Sequence, residues 1–365
     1  GVSSAASDVY KRQTWISGAG NKGRKIQVTK RHGIFIIKNL IRMAILLLAV
    51  SAAAFFLISI SPVDPLKSNV GQAALGSMSE EQIERLKEYW GVTVPAGERF
   101  IRWFSGICRG DFGISLLYRR PVLDVIGEKF ANSAWLMISA WIFSGIGGVA
   151  LGVLAGVKRG KWQDKAVTAY CMVIAGTPAF WLALVLLLVF AIRFPIFPIG
   201  FSVPVGVAAS EVTFGDRLIH AVLPALTLGL TGVSNIAMHT RSKMIEVLES
   251  DYVFYARARG ETQWQIVGRH GLKNILLPVI TLQFASISEI FGGSVLVEQV
   301  FSYPGLGQAA ITAGLGSDVP LLLGITLISA AVVFLGNFTA DLLYYTVDPR
   351  LKRDRKKMVR KGETL

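Results

Sequence analysis

Charged residues are scarce in this 365-residue chain. Asp, Glu, Lys and Arg make up 17% of it, against roughly 25% in soluble domains. The charge present is one-sided, with 38 Lys and Arg against 24 Asp and Glu and a net of +14. Cysteine is almost missing: Cys108 and Cys171 are the only two, which excludes a disulfide scaffold. Apolar residues reach 52%, which excludes a disordered chain. Catalytic and metal-binding patterns are missing too. His220 and His239 lack metal-ligand spacing, and no carboxylate, serine or histidine constellation emerges. Gly18-Ala19-Gly20-Asn21-Lys22-Gly23 is followed by Arg24-Lys25 rather than by Lys and a hydroxyl residue, so it is no phosphate loop. No basic and aromatic surface is interleaved in a soluble domain, which sets nucleic acid aside as a partner.

Long stretches without charge are what the chain has instead. A helix needs about 20 mostly apolar residues to cross a bilayer. Six stretches qualify: Met43–Val63, Phe130–Val157, Ala166–Ile192, Leu218–Thr240, Asn274–Val297 and Val319–Ala340, the fifth interrupted by Glu289. In lipid every backbone polar group must be bonded within the chain, so these are expected to be helices.

Basic residues in the short loops set the orientation. The segment before residue 41 holds Lys11, Arg12, Lys22, Arg24, Lys25, Lys30, Arg31 and Lys38. The loop between spans two and three holds Lys158, Arg159, Lys161 and Lys165, and that between four and five holds Arg241, Lys243, Arg257, Arg259, Arg269 and Lys273. The tail from Arg350 is basic as well, whereas residues 302–318 hold no Lys or Arg. Both termini are therefore expected in the cytoplasm. The expected organisation is a non-native or disordered leader (1–27), a cytoplasmic N-terminal segment (28–40), a transmembrane domain (41–348) and a basic tail (349–365). Within the domain, an outer loop covers about 62–129 and a cytoplasmic loop about 241–274. The lipid bilayer accounts for the basic charge.

The outer loop opens on the turn Ser61–Pro65. Ser79 with Gln82 three residues on predicts a helix start, Glu81–Arg85 a favourable pair, and Ile83, Leu86 and Trp90 a shared face ended by Gly91. Arg109-Gly110-Asp111-Phe112-Gly113-Ile114-Ser115 reads as a compact structural turn.

The cytoplasmic loop is the most informative stretch. Asp251 can cap a helix whose end carries Arg257 and Arg259, Gly260 supplies a corner, and a second helix starts near Thr262. Pro278 is placed in the first turn of the fifth span, where its missing N–H costs little. The product is a helix–turn–helix bracket on the cytoplasmic face. Asp251, Tyr252, Ala256, Arg257, Ala258, Gly260, Arg269, His270, Leu272, Asn274 and Pro278 follow the order D-Y-x-x-x-A-R-A-x-G, then R-H-x-L-x-N-x-x-x-P. With them run Gly110–Ser115, Thr177-Pro178-Ala179-Phe180-Trp181, Gly292-Gly293-Ser294, Glu298, Phe301, Tyr303-Pro304-Gly305-Leu306-Gly307, Asp341–Tyr344 and Asp348-Pro349-Arg350.

This ordered series, over about residues 33–352, resembles the permease subunits of ABC importers, in the dipeptide, oligopeptide and nickel branch. The chain departs from the pattern at Lys273, where Arg is usual, and at Glu289, where an apolar residue is usual. The resemblance implies an all-α, six-span, type I importer permease fold, and a subunit that is not itself an enzyme. It implies a loop that docks on a cytoplasmic ATP-binding subunit, with ATP and Mg held by two such partners and no cofactor on this chain. A second, homologous permease and an extracytoplasmic solute-binding protein complete the expected complex in a bacterial or archaeal cytoplasmic (inner) membrane. A peptide, nickel or another small solute all fit that branch.

Inside the fifth span, Glu289, Gly292 and Gly293 share a face and are candidates to line the solute pathway, against a satisfied interhelical hydrogen bond for Glu289. Glu298, near the outer end, is a candidate for the pathway or for holding a turn. A stand-alone secondary transporter or channel is the alternative function, and Glu289 would be its centre. A membrane-embedded hydrolase would need paired catalytic residues that the spans do not show.

Overall fold

The computed structural model describes residues 36–57, 59–60, 78–89, 94–207 and 211–347. The leader 1–27, the tail 349–365, the turn Ser61–Pro65, and Trp90 with Gly91 lie outside the described residues. Residues 1–51 and 52–365 form two separate units. The helix α1 (Ile36–Leu57) runs through their boundary and is apolar and long enough to cross a membrane. The packing described below belongs to the second unit.

The regular structure of the described residues is helical with no strand, only an isolated antiparallel bridge between Ile114 and Pro121. Helix α2 (Glu80–Tyr89) begins as its sequence predicts: Ser79 Oγ accepts from Gln82 N–H at 3.3 Å, and Gln82 Oε1 accepts from Ser79 N–H at 3.0 Å. Glu81 and Arg85 pair at 2.6 Å. Helix α3 (Ala96–Cys108) has no counterpart among the sequence expectations. It stacks Phe100 on Phe104 at 5.9 Å and meets Phe55 with Phe100 at 5.4 Å, an aromatic cluster that stabilises it where hydrophobic length does not. Both cysteines are free, Cys108 exposed and Cys171 buried.

Two long helices, α4 (Val122–Val157) and α7 (Phe214–Leu248), form the axis of the fold. Helix α7 starts where Thr213 Oγ1 accepts from Asp216 N–H at 3.2 Å and Asp216 Oδ2 accepts from Thr213 N–H at 2.9 Å. Gly148, Gly152 and Gly156 line one face of α4 at four-residue spacing. A Cβ on them would lie 2.6 Å from Ile236 Cβ, 2.5 Å from Thr240 Cβ and 2.7 Å from Met244 Cβ, respectively. Small residues repeated every four positions let helix backbones approach closely where lipid gives no hydrophobic drive for association.

The third expected span, Ala166–Ile192, is not one helix. It is α5 (Trp162–Ala175) and α6 (Ala179–Leu187), the latter running on through a widened π-helical turn at Leu188–Arg193, with a 105° bend between them. The cause is Gly176-Thr177-Pro178. Proline lacks the N–H that would continue the helix, and it pushes the residue before it out of the helical region. The fifth is also bent, by 42°, between α10 (Leu272–Ala285) and α11 (Ile287–Val300). After α11 come a short helix α12 (Leu306–Leu315) and the last long helix α13 (Val319–Val347). Among the described residues four helices are long and apolar enough to cross a membrane, or up to six if each bent pair counts as one span.

Two buried carboxylates fix the turns at one end of this bundle. Glu298, 0% exposed, accepts from Ser133 Oγ at 2.6 Å and from the Gly307 and Gln308 N–H groups at 2.7 and 3.1 Å. It thereby satisfies the free N–H groups at the start of α12 from another helix. Asp318, also 0% exposed, accepts from Ser115 Oγ at 2.5 Å, from Leu117 N–H at 3.0 Å and from Leu321 N–H at 3.2 Å. It caps α13 and holds the Gly110–Ser115 turn in place, where Gly110 and Gly113 take φ of +84° and +79°. Tyr303, between α11 and α12, is packed beside Glu298. Burial, with the Glu298 carboxylate adding to it, pushes its phenol up to about 12.

Candidate functional site

The bracket is built on a small apolar floor. Helix α8 (Asp251–Ala258) turns Val253 and Ala256 down onto Met244 and Val247 of α7 and onto Ile266, Val267 and Ile275 beyond the corner. Ser250 holds the N-cap position of α8, so Asp251 is not the cap that the sequence indicated. Asp251 lies instead in the first turn, where its carboxylate still meets the positive end of the helix dipole.

The corner closes as a paired C-terminal motif. Gly260 N–H donates to Arg257 O at 2.9 Å and Glu261 N–H to Ala256 O at 3.2 Å, with Gly260 at φ +85°. That conformation is easy only for glycine, as the sequence predicts. The second arm is α9 (Gln263–Ile266), which starts where Thr262 N–H donates to Gln265 Oε1 at 2.8 Å. It continues through a widened turn, Val267–Gly271, into α10. Pro278 is the seventh residue of α10, not in a first turn, because helical backbone begins well before the apolar run does. The Asn274 carbonyl thus lacks its usual N–H partner four residues on.

Side chains clamp the two arms. Asn274 Nδ2 donates to Tyr252 Oη at 3.1 Å and to the His270 carbonyl at 2.8 Å. His270 Nε2 lies 3.2 Å from Glu261 Oε2, and the Tyr252 and His270 rings are 6.3 Å apart. The bracket is tied to the neighbouring loop by the ion pair of Arg159 with Glu249. Below it, Arg241 grips Asp164 with two bonds, Nε to Oδ1 at 2.5 Å and Nη2 to Oδ2 at 2.9 Å. Gly160 N–H donates to the same carboxylate at 2.8 Å.

The outward side of the bracket is aromatic and basic. Phe254 is 77% exposed and Tyr255 66%, and Tyr252, Arg257, Ala258 and Arg269 are exposed with them; Trp264, also exposed, instead borders an apolar groove between α4 and α10 with Val149, Leu272 and Leu276. Large exposed aromatics beside basic groups are the composition of an interface rather than of free surface. Sequence reasoning missed Phe254, Tyr255 and the Asp164–Arg241 pair. The first two were legible as aromatics standing among charges; the pair joins residues 77 apart in sequence and left no local signal.

The candidates of the fifth span separate. Glu289 is exposed and its Oε2 accepts from Asn235 Nδ2 of α7 at 3.5 Å. Gly292, one turn on, faces open space, whereas a Cβ on Gly293 would meet Leu228 Cδ2 at 3.3 Å. Glu298 stands apart from them in the buried turn already described. Among the described residues no group of three His, Cys, Asp or Glu could hold a metal ion.

Residues 148–353 match the family described as binding-protein-dependent transport system inner membrane component. Residues 33–136 match its N-terminal companion family. The chain belongs to this family. The oligopeptide transport system permease protein AppB of Bacillus subtilis (strain 168) is 32% identical over 319 residues, 87% of this chain and 99% of the relative. The glutathione transport system permease protein GsiC of Escherichia coli (strain K12) is 31% identical over 318 residues, 87% of this chain and 98% of its own. The chain is accordingly a membrane permease component of a binding-protein-dependent transport system, and the stand-alone alternative gives way to that. The bracket and the Glu289 face are the two features of this permease that remain to be given roles.

Proposed function

We propose that this permease supplies half of a solute pathway through a cytoplasmic membrane and couples it to ATP hydrolysis on separate subunits. In this reading each bent pair is one span, the chain crosses six times, and both termini with the bracket face the cytoplasm. The basic loops at 158–165 and 241–273 support that orientation. A second, related permease supplies the other half, two ATP-binding subunits hold ATP and Mg, and an external binding protein delivers the solute. The solute is a short peptide, the class to which the names of both relatives point.

One observation carries the coupling role: the aromatic knob of Phe254 and Tyr255 on a helix locked by the Gly260 corner. A knob clamped by Tyr252, Asn274 and His270 moves with the spans as one body, so a groove that closes around it rocks them.

The experiment is purification of the tagged chain from native membranes with its ATP-binding subunits, comparing Gly260→Asp with the parent. A Cβ at Gly260 touches nothing within 4 Å, so the variant acts through strain in the left-handed corner, about 1–2 kcal/mol, and through a new carboxylate beside Arg257 and Arg259. Loss of the ATP-binding subunits from a chain still present in the membrane is expected. Full retention of both the subunits and uptake would overturn the assignment.

A further inference from the structure

Four polar side chains from three helices come together near the middle of the bundle. They are Asn235 of α7, Ser288 and Glu289 of α11, and Asn337 of α13. Two contacts organise them: Asn235 Nδ2 to Glu289 Oε2 at 3.5 Å, and Ser288 Oγ donating to Asn337 Oδ1 at 2.9 Å. Glu289 and Asn337 are exposed, and Gly292 leaves open space beside the carboxylate.

Among the described residues Glu289 makes no ion pair, its one contact being the Asn235 amide. Between residues 218 and 240, 274 and 300, and 319 and 340 there is no Lys or Arg. At the ends of α7, Arg241 is taken by Asp164 and Lys243 by Glu246. The other acidic side chain of the fifth span, Glu298, is saturated by three donors, whereas Glu289 has one long contact from a neutral amide. A carboxylate facing hydrocarbon in this state is too costly to persist, so this face looks into the protein interior or a water-filled path. Its free acceptor positions then suit a mobile cation with N–H donors.

The geometry points to Glu289 and Asn235 as a station for the α-ammonium group of a peptide in transit. This rests on the peptide reading given above. The carboxylate takes the ammonium as a charge-assisted hydrogen bond, the Asn235 carbonyl oxygen is a second acceptor, and the space over Gly292 admits the peptide's first side chain. Glu289 is then the residue that distinguishes a free amino terminus from a blocked one inside the membrane.

The test uses the full complex in liposomes with its binding protein and ATP, taking up trialanine or N-acetyl-trialanine. The binding protein's affinity for each peptide is measured separately, so that its own selection is divided out. At saturating loaded binding protein, Glu289→Gln is expected to lower the rate of trialanine uptake about tenfold, the loss of one charge-assisted bond, and to leave N-acetyl-trialanine unchanged. Glu289→Asp is expected to keep the preference for the free terminus. Unchanged trialanine uptake by Glu289→Gln would overturn the station, as would an equal loss for both peptides. Separation of the two permeases in Glu289→Gln would overturn it as well, by showing that the counter-ion is a cation of the second permease. A parent complex that takes up neither peptide would overturn the peptide reading itself, and the station with it.

Discussion

Placing a methyl group at Gly152 tests whether the α4–α7 seam holds the bundle together. A Cβ there would lie 2.5 Å from both Ala237 O and Thr240 Cβ, so the helices must separate locally by about 1 Å to restore ordinary contact. Overpacking of this kind costs about 1–3 kcal/mol, against about 1 kcal/mol gained because alanine favours helix over glycine. Gly152→Ala should therefore be destabilising by roughly 1 kcal/mol. Gly127, on an open face of the same helix with nothing within 4 Å of its would-be Cβ, is the control. Gly127→Ala should gain about 0.5–1 kcal/mol. Cys171 is 2% exposed, so thermal unfolding in detergent is read by its alkylation in a Cys108→Ser background. The two variants should melt on opposite sides of the parent, separated by about 2–4 °C. Gly152→Ala melting at or above the parent would refute the seam as a packing constraint.

Three further outcomes follow from the same structure. Glu298→Gln keeps one acceptor oxygen for the Gly307 and Gln308 N–H groups but loses the charge-assisted part of the three bonds and should destabilise by about 1–3 kcal/mol, seen as lower membrane levels and a lower melting temperature; a parent-like melt would show that the charge in the α12 cap is dispensable. Asp164→Asn and Arg241→Gln should show a coupling of about 1–3 kcal/mol in a double-mutant cycle, and additive effects would deny the pair any cooperative role. Phe254→Ala with Tyr255→Ala touches exposed side chains and should shift stability by less than about 0.5 kcal/mol, while binding-protein-stimulated ATP hydrolysis by the complex falls at least tenfold, as for hot-spot aromatics; unchanged stimulation would move the docking surface elsewhere.

The long helices were legible because they rest on a one-dimensional property, the length of charge-free runs, and α1, α4, α7 and α13 answer to it directly. The corner at Gly260 and the helix start at Ser79 were legible because their chemistry spans four or five neighbouring residues. What escaped was set by distant partners. The fate of Glu298 depended on Ser133, 165 residues away, so burial in a turn and exposure to a pathway looked alike from sequence. The 105° break after Ala175 was written in Gly176-Thr177-Pro178, yet hydropathy runs smoothly across it and masks it. Pro278 was misplaced for the converse reason: the helix begins in polar sequence, at Gln263, well ahead of the apolar run. The Gly148, Gly152 and Gly156 spacing was present in the sequence, but its meaning came only from the helix packed against it.

Uptake by the reconstituted complex decides most directly whether this chain is an ATP-coupled, binding-protein-dependent permease. Liposomes holding the permease, its partner permease and the ATP-binding subunits are loaded with ATP and given labelled peptide outside, with and without the binding protein. Uptake should require both the binding protein outside and ATP on the side of the Gly260 bracket, and should stop when either is omitted. Uptake by the chain alone, without ATP or binding protein, would contradict the coupling role of the bracket and return Glu289 to the centre of a stand-alone transporter.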